Sequence, residues 1–114
     1  VPTPWGDVHV PGGQLFHSIK GGGRHIEWQG ADFITAGNIC NWRIDFLYYD
    51  MNGRRYDTSY GPTHYQCNRV GIRKDTINRD VRYGTACAKL LVNGTPVPGA
   101  KQCHSITTPK RWPW

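Results

Sequence analysis

Five histidines, His9, His17, His25, His64 and His104, are the side chains of this sequence best suited to moving protons near neutral pH. A pair of them beside a Lys or Arg could cleave RNA, with His17, His64 and His104 as the candidates. The balance of 14 Lys and Arg against 8 Asp and Glu, a net charge of +6, would suit a phosphate substrate. The spacing does not support that chemistry. The cations are dispersed: only Arg54-Arg55, Arg73-Lys74 and Lys110-Arg111 are adjacent, and the basic stretch from Arg69 to Arg82 is broken by Asp75 and Asp80. A solvated basic face accounts for this distribution.

Other reaction classes lack their parts. There is no G-x-S-x-G elbow and no H-E-x-x-H pair, and Glu27 is the one glutamate beside seven aspartates, too few carboxylates in recognisable pairs for glycoside hydrolysis. Asp45 and Asp57 are expected to pair with Arg43, Arg55 or backbone amides. Gly21-Gly22-Gly23-Arg24 lacks the lysine, the hydroxyl residue and the following helix of a phosphate-binding loop, and reads as a loose turn. Asn93-Gly94-Thr95 matches a glycosylation acceptor, although the Asn-Gly turn explains it without a sugar. The expectation is a protein that is not an enzyme and needs no cofactor or metal.

Cys40, Cys67, Cys87 and Cys103 are even in number and widely spaced, with no C-x-x-C pair of the zinc or redox kind, so two disulfides are expected. In the loop-entropy description each contributes roughly 3–4 kcal/mol. With Val1 at the start and no run of about 18 apolar residues, the chain reads as a mature secreted protein without a membrane anchor.

The elements that would carry these residues are strands. Leu15 to Ile19 and His25 to Gln29 form a first hairpin around the three glycines. From Asn41 to Tyr48 the alternation puts Trp42, Ile44, Phe46 and Tyr48 on a core face, with Arg43 and Asp45 on a wet one. Asn52-Gly53 predicts a two-residue type I′ turn, which sets Asp50 opposite Arg55 and Tyr49 opposite Tyr56 and leaves Cys67 two residues beyond the partner of Cys40. A bulge or the Gly61-Pro62 bend closes that offset, giving Cys40–Cys67. A second hairpin, Thr85 to Val92 and Ala100 to Ile106 around NGTPVPG, brings Cys87 to Cys103. Val70 to Arg82 is the segment expected to hold a short helix or a long loop. The triplet His17-Ser18-Ile19 recurs as His104-Ser105-Ile106, too short a match to count as a repeat. The predicted fold is all-β: a small β-sandwich or barrel of about seven strands with two disulfides. It comprises an extended arm at 1–13, a stapled body at 14–107 and a Trp/Pro tail at 108–114.

Trp28 and Trp42 lie in strand patterns and are expected in the core, whereas Trp5, Trp112 and Trp114 lie in proline-rich arms with little apolar company. Extended segments with aromatic anchors suit protein recognition. The candidate partner-binding residues are therefore Trp5, Val8 and Val10 in the first arm, Arg111, Trp112 and Trp114 in the last, and Tyr49, Arg54, Arg55 and Tyr56 on the central hairpin, Tyr and Arg being the residues that enrich interface hot spots.

The layout GNICNWRIDFLYYDMNGRRYDTSYGPTHYQCNR, followed by YGTACAKLLVNG and AKQCHSI, resembles small secreted proteins of Streptomyces and related actinobacteria. Within these it is similar to the small subunits of umbrella toxin particles, over residues 14–107. The resemblance implies a non-enzymatic adaptor that joins a lectin-bearing subunit to the repeat-containing stalk of a large antibacterial toxin subunit, and it carries no residue roles. The leading expectation is thus a secreted protein-binding module, with other secreted proteins as partners and no specific nucleic acid. A second class is a protease or glycosidase inhibitor that presents Asn93 to Gly99 as a rigid loop.

Overall fold

In a computed structural model, which describes residues 12–107, the chain forms seven strands and, among the described residues, no helix. They are β1 (Gly13–Gly22), β2 (His25–Asp50), β3 (Arg55–Ser59), β4 (His64–Asp75), β5 (Arg79–Asp80), β6 (Gly84–Val92) and β7 (Thr95–Ile106). All belong to one sheet. The strand expected from Leu15 opens two residues earlier, at Gly13, which pairs with Thr35. Val70 to Arg82 holds neither helix nor long loop: β4 runs on to Asp75, and β5 then pairs His25 and Ile26.

β2, 26 residues long, is the partner of every strand but β7. Its first half carries β1 along one edge and β4 along the other; its second half carries β6 and β3 in the same way. Between the halves Asn41 adopts a φ of 51°, a conformation that asparagine tolerates better than most residues, and is bulged out of the ladder to β4. The bend is tied down: the Asn41 side-chain amide donates to Asn93 Oδ1 at 2.7 Å, and the Asn93 backbone N–H donates to the Asn41 carbonyl at 2.9 Å. Bent there, the sheet curls until β7 comes beside β1, as a barrel that lacks a last ladder.

The two Asn-Gly pairs behave differently. Asn93 and Gly94 both have positive φ and form the two-residue turn between β6 and β7. At Asn52-Gly53 only Gly53 does, so the expected two-residue turn is replaced by a three-residue one. The cause is Asp50, whose Oδ1 accepts from the N–H groups of both Asn52 and Arg54 at 2.9 Å. The register moves by one, with Tyr49 opposite Arg55 rather than Tyr56. Bulges and the break between β3 and β4 then bring Cys40 directly opposite Cys67, and both disulfides, Cys40–Cys67 and Cys87–Cys103, form as expected between directly paired residues.

The concave face holds the core: Leu15, Phe33, Trp42, Ile44, Phe46, Tyr48, Ala86, Ala88, Leu90 and their neighbours. The expected core face of β2 is correct, but its other face is not wet. Asp45 is buried, accepting from Arg43 Nε and from the Gly61 N–H, and Leu47 is covered on the row of Cys87 and Cys103. Trp28, expected in the core, lies half-buried on the convex face under Lys74, whose Nζ is 4.7 Å from the ring. Arg73 fastens the β3–β4 bend to β2 by donating to the carbonyls of Ile44 and Ser59 and to Ser59 Oγ, with its guanidinium 4.3 Å from the Phe46 ring.

Gly71 is where the backbone of β4 passes over the edge-to-face pair of Phe33 and Trp42, and a Cβ there would run into both rings. Gly71→Ala should therefore destabilise the fold by about 1–3 kcal/mol, the usual range for overpacking. A lower urea midpoint at unchanged slope checks this.

Candidate functional site

Two places on this scaffold concentrate chemistry. The first is the seam where β1 meets β7. His17 on β1 is buried and His104 on β7 is exposed, and their Nδ1 atoms stand 2.9 Å apart. From His17 a polar chain crosses the interior: His17 Nε2 lies 2.7 Å from Gln29 Oε1, and Gln29 Nε2 donates to the Tyr48 hydroxyl at 2.8 Å. Arg79 then lies over the Tyr48 ring and donates to Asp57. The tautomers follow from the donors. A side-chain carbonyl only accepts, so His17 carries its proton on Nε2, its Nδ1 is left as an acceptor, and His104 donates from Nδ1. Burial pushes the His17 pKa down, and the neighbouring His104 adds to this against the bond to Gln29. Burial likewise raises that of Tyr48.

Of the histidines weighed for RNA cleavage, then, the fold brings together His17 and His104 but not His64, which stacks on Trp42 at 4.0 Å. His9 lies outside the described residues. The two paired rings are bonded to each other, which leaves no room for a phosphate between them. The cleft beside them is lined by Gln14, Phe16, Ser18 and Gln102, with no Lys or Arg. Among the described residues no group of three His, Cys, Asp or Glu side chains could hold a metal. His25 stands apart, its Nδ1 2.8 Å from Asp80 Oδ1 and its Nε2 3.0 Å from Asn78 Oδ1, and these two bonds raise its pKa.

The second place is the convex face of β1, β2 and β4. Cross-strand pairing puts Phe16, Asp32 and Ile72 in one row and Gln14, Ile34 and Val70 in the next. Phe16, Ile34, Val70 and Ile72 expose 47%, 52%, 61% and 66% of their surfaces, so four apolar side chains form one open patch around a single carboxylate. One row further on are Ser18, Gly30 and Lys74, and then Lys20 opposite Trp28. This patch was hidden in the sequence because β4 was expected to be helix or loop there. The alternation of Val70 and Ile72 with Gly71 and Arg73 was the signal.

Of the residues predicted to bind a partner, Trp5, Val8, Val10, Arg111, Trp112 and Trp114 lie outside the described residues. Arg54 and Arg55 are exposed at the hairpin tip. Tyr49 and Tyr56 are engaged internally: the Tyr49 hydroxyl accepts from Lys101 Nζ at 2.8 Å, and that of Tyr56 from the Arg82 N–H at 3.0 Å. Hairpin and convex patch occupy opposite ends of β2.

The fold and these surfaces define a disulfide-stapled all-β module with an open apolar face. Comparison with protein-family models, with curated proteins and with solved structures finds no match to this chain.

Gln29→Leu removes both the acceptor for His17 and the donor to Tyr48 from a fully buried position, and should cost about 1–3 kcal/mol per group left unpaired. Tyr48→Phe, which removes the hydroxyl that accepts the Gln29 N–H, should cost less than Gln29→Leu. Urea unfolding of both variants checks the order. For His25 the raised pKa means that the bond to Asp80 favours the protonated ring, so its contribution is complete below the unfolded value of about 6.5 and is lost as pH rises through the folded one. Asp80→Asn should return the His25 titration toward that value, as read by NMR.

Proposed function

We propose that this chain is a secreted, non-enzymatic protein-binding module that acts as an adaptor between components of an extracellular complex. The observation that carries this reading is the convex patch of Phe16, Ile34, Val70 and Ile72, a cluster of solvated apolar side chains on three adjacent strands. Exposed apolar surface of this kind marks a contact surface. Its chemistry selects the partner. Lys20 and Lys74 border one end, and the chain carries +6 overall, so an apolar protein surface edged with carboxylates is complementary. Asp32, at the centre, would be buried by any such partner and demands a cation or N–H donor opposite it, which supplies specificity.

An adaptor needs two faces. The exposed tip formed by Met51, Arg54 and Arg55 at the far end of β2 supports a second contact. Two disulfides support an oxidising, extracellular setting. The likeness of the layout to small subunits of umbrella toxin particles supports an antibacterial toxin assembly as that setting. The inhibitor reading finds less support. Of Asn93 to Gly99, Thr95 and Pro96 pair with Val92 and Leu91 after the two-residue turn, and the bulge that follows, Val97 to Gly99, turns Val97 into the core.

The test is capture from the secretions of the producing cell by immobilised full-length chain, the wild type beside Ile72→Glu and Val70→Glu. Both substitutions are at solvated positions and leave the fold intact. An acidic secreted protein held by the wild type and lost at least roughly tenfold by the variants, in a salt-dependent way, is expected. Retention by the variants sinks the patch, and self-association of the wild type in sedimentation makes a second copy the occupant instead.

A further inference from the structure

The contact between β1 and β7 includes no backbone ladder; its polar link is the His17–His104 bond. Each ring has one nitrogen left for a further proton, and the two are not equivalent. His104 can take its proton on Nε2, facing away from the bond, and still donate from Nδ1; a charged donor strengthens that bond. The free nitrogen of His17 is Nδ1, the atom that accepts from His104. A proton placed there sets N–H against N–H and two charged rings with centroids 4.9 Å apart. We propose that His17 and His104 form a proton-operated latch across this seam, closed while the pair carries at most one extra proton and opened by the second.

The surroundings offer the second charge no compensation. From β2, Gln29 Oε1 accepts from His17 Nε2, the Phe46 ring lies 6.2 Å from the His17 ring, and Tyr48 stands behind Gln29. From β6, Ala86 pairs with His104, and Phe16, Ser18, Gln102 and the disulfide-bonded Cys103 complete the lining. The nearest charge along the polar chain is Arg79, another cation, held by Asp57. His25 shares the far end of the seam with His104 and is already paired with Asp80. Among the described residues neither latch ring has a carboxylate as hydrogen-bond partner. The sign follows: a proton on His104 Nε2 leaves the bond in place, whereas His17 stays neutral in the closed seam, so below the unfolded histidine value of about 6.5 that seam is disfavoured by up to about tenfold per pH unit until His17 is charged. Opening exposes the facing edges of β1 and β7, which can then pair with another strand. The latch does not rest on the binding reading above.

Ring ¹⁵N NMR and amide exchange on the full chain between pH 7.5 and 4.5 test it. At the upper end the proton is expected on Nε2 of His17 and on Nδ1 of His104. On acidification His17 should stay neutral below the unfolded value, and the step that charges it should lower amide protection in β1 and β7 about tenfold or more while the β2–β4 ladder keeps its own. Titration of His17 near the unfolded value of about 6.5, or unchanged protection once both rings are charged, overturns the latch. His104→Gln should abolish the step in protection; its persistence in that variant also overturns the proposal. The tautomers and the titration of His17 in the wild type decide the question even if the variant does not fold.

Discussion

Everything in this molecule hangs on one bent strand. A sheet in which every strand but β7 leans on β2 stays open and flat unless β2 itself turns, and it turns at Asn41, a residue in a conformation most side chains avoid. Because the bend is clasped from outside by Asn93, the tip of the β6–β7 hairpin fixes the curvature that closes the core around Trp42, Phe46 and Tyr48. Local backbone strain and long-range closure are the same event.

The interior that results is not purely apolar. A fully buried Gln29 links a histidine to a tyrosine, and the chain of donors and acceptors fixes each tautomer. Such a network is costly when incomplete and directional when complete. Here it runs from the seam to the Arg79–Asp57 pair, so the side that lacks a backbone ladder is joined by side chains to the side held by β5 and β3. The disulfides serve a different role, each stapling two residues already paired in a ladder.

Much of this was legible in the residues. The strand alternation and the all-β class follow from the period of two, and Cys87–Cys103 from the hairpin around NGTPVPG; Cys40–Cys67 was expected with an offset to be closed by a bulge or bend, and bulges close it although the two-residue turn at Asn52-Gly53 does not form. What was not legible depended on contacts distant in sequence. Asn52-Gly53 and Asn93-Gly94 are the same dipeptide, and an aspartate at position 50 decides that only the second forms the tight turn. The buried face of Asp45 depended on Gly61, sixteen positions away. The open patch required knowing that β4 lies beside β2, since Val70 and Ile72 look like core in isolation. The repeated His-Ser-Ile triplet is too short to weigh as a repeat, yet it places the two rings of the seam on the strands that meet.

The seam also dictates an order of assembly. His17 and His104 are 87 positions apart, and every other strand of the sheet lies between them in the chain. Contacts of such separation carry the largest loop-closure cost and form last. The β2–β4 and β6–β7 pairs, with their disulfides, can be in place while β1 and β7 still present bare edges to whatever is nearby. A chain emerging with its amino end first therefore passes through a stage that is already oxidised and mostly folded but not yet shut, and in the final contact His17, present early, waits for His104, which emerges 87 residues later.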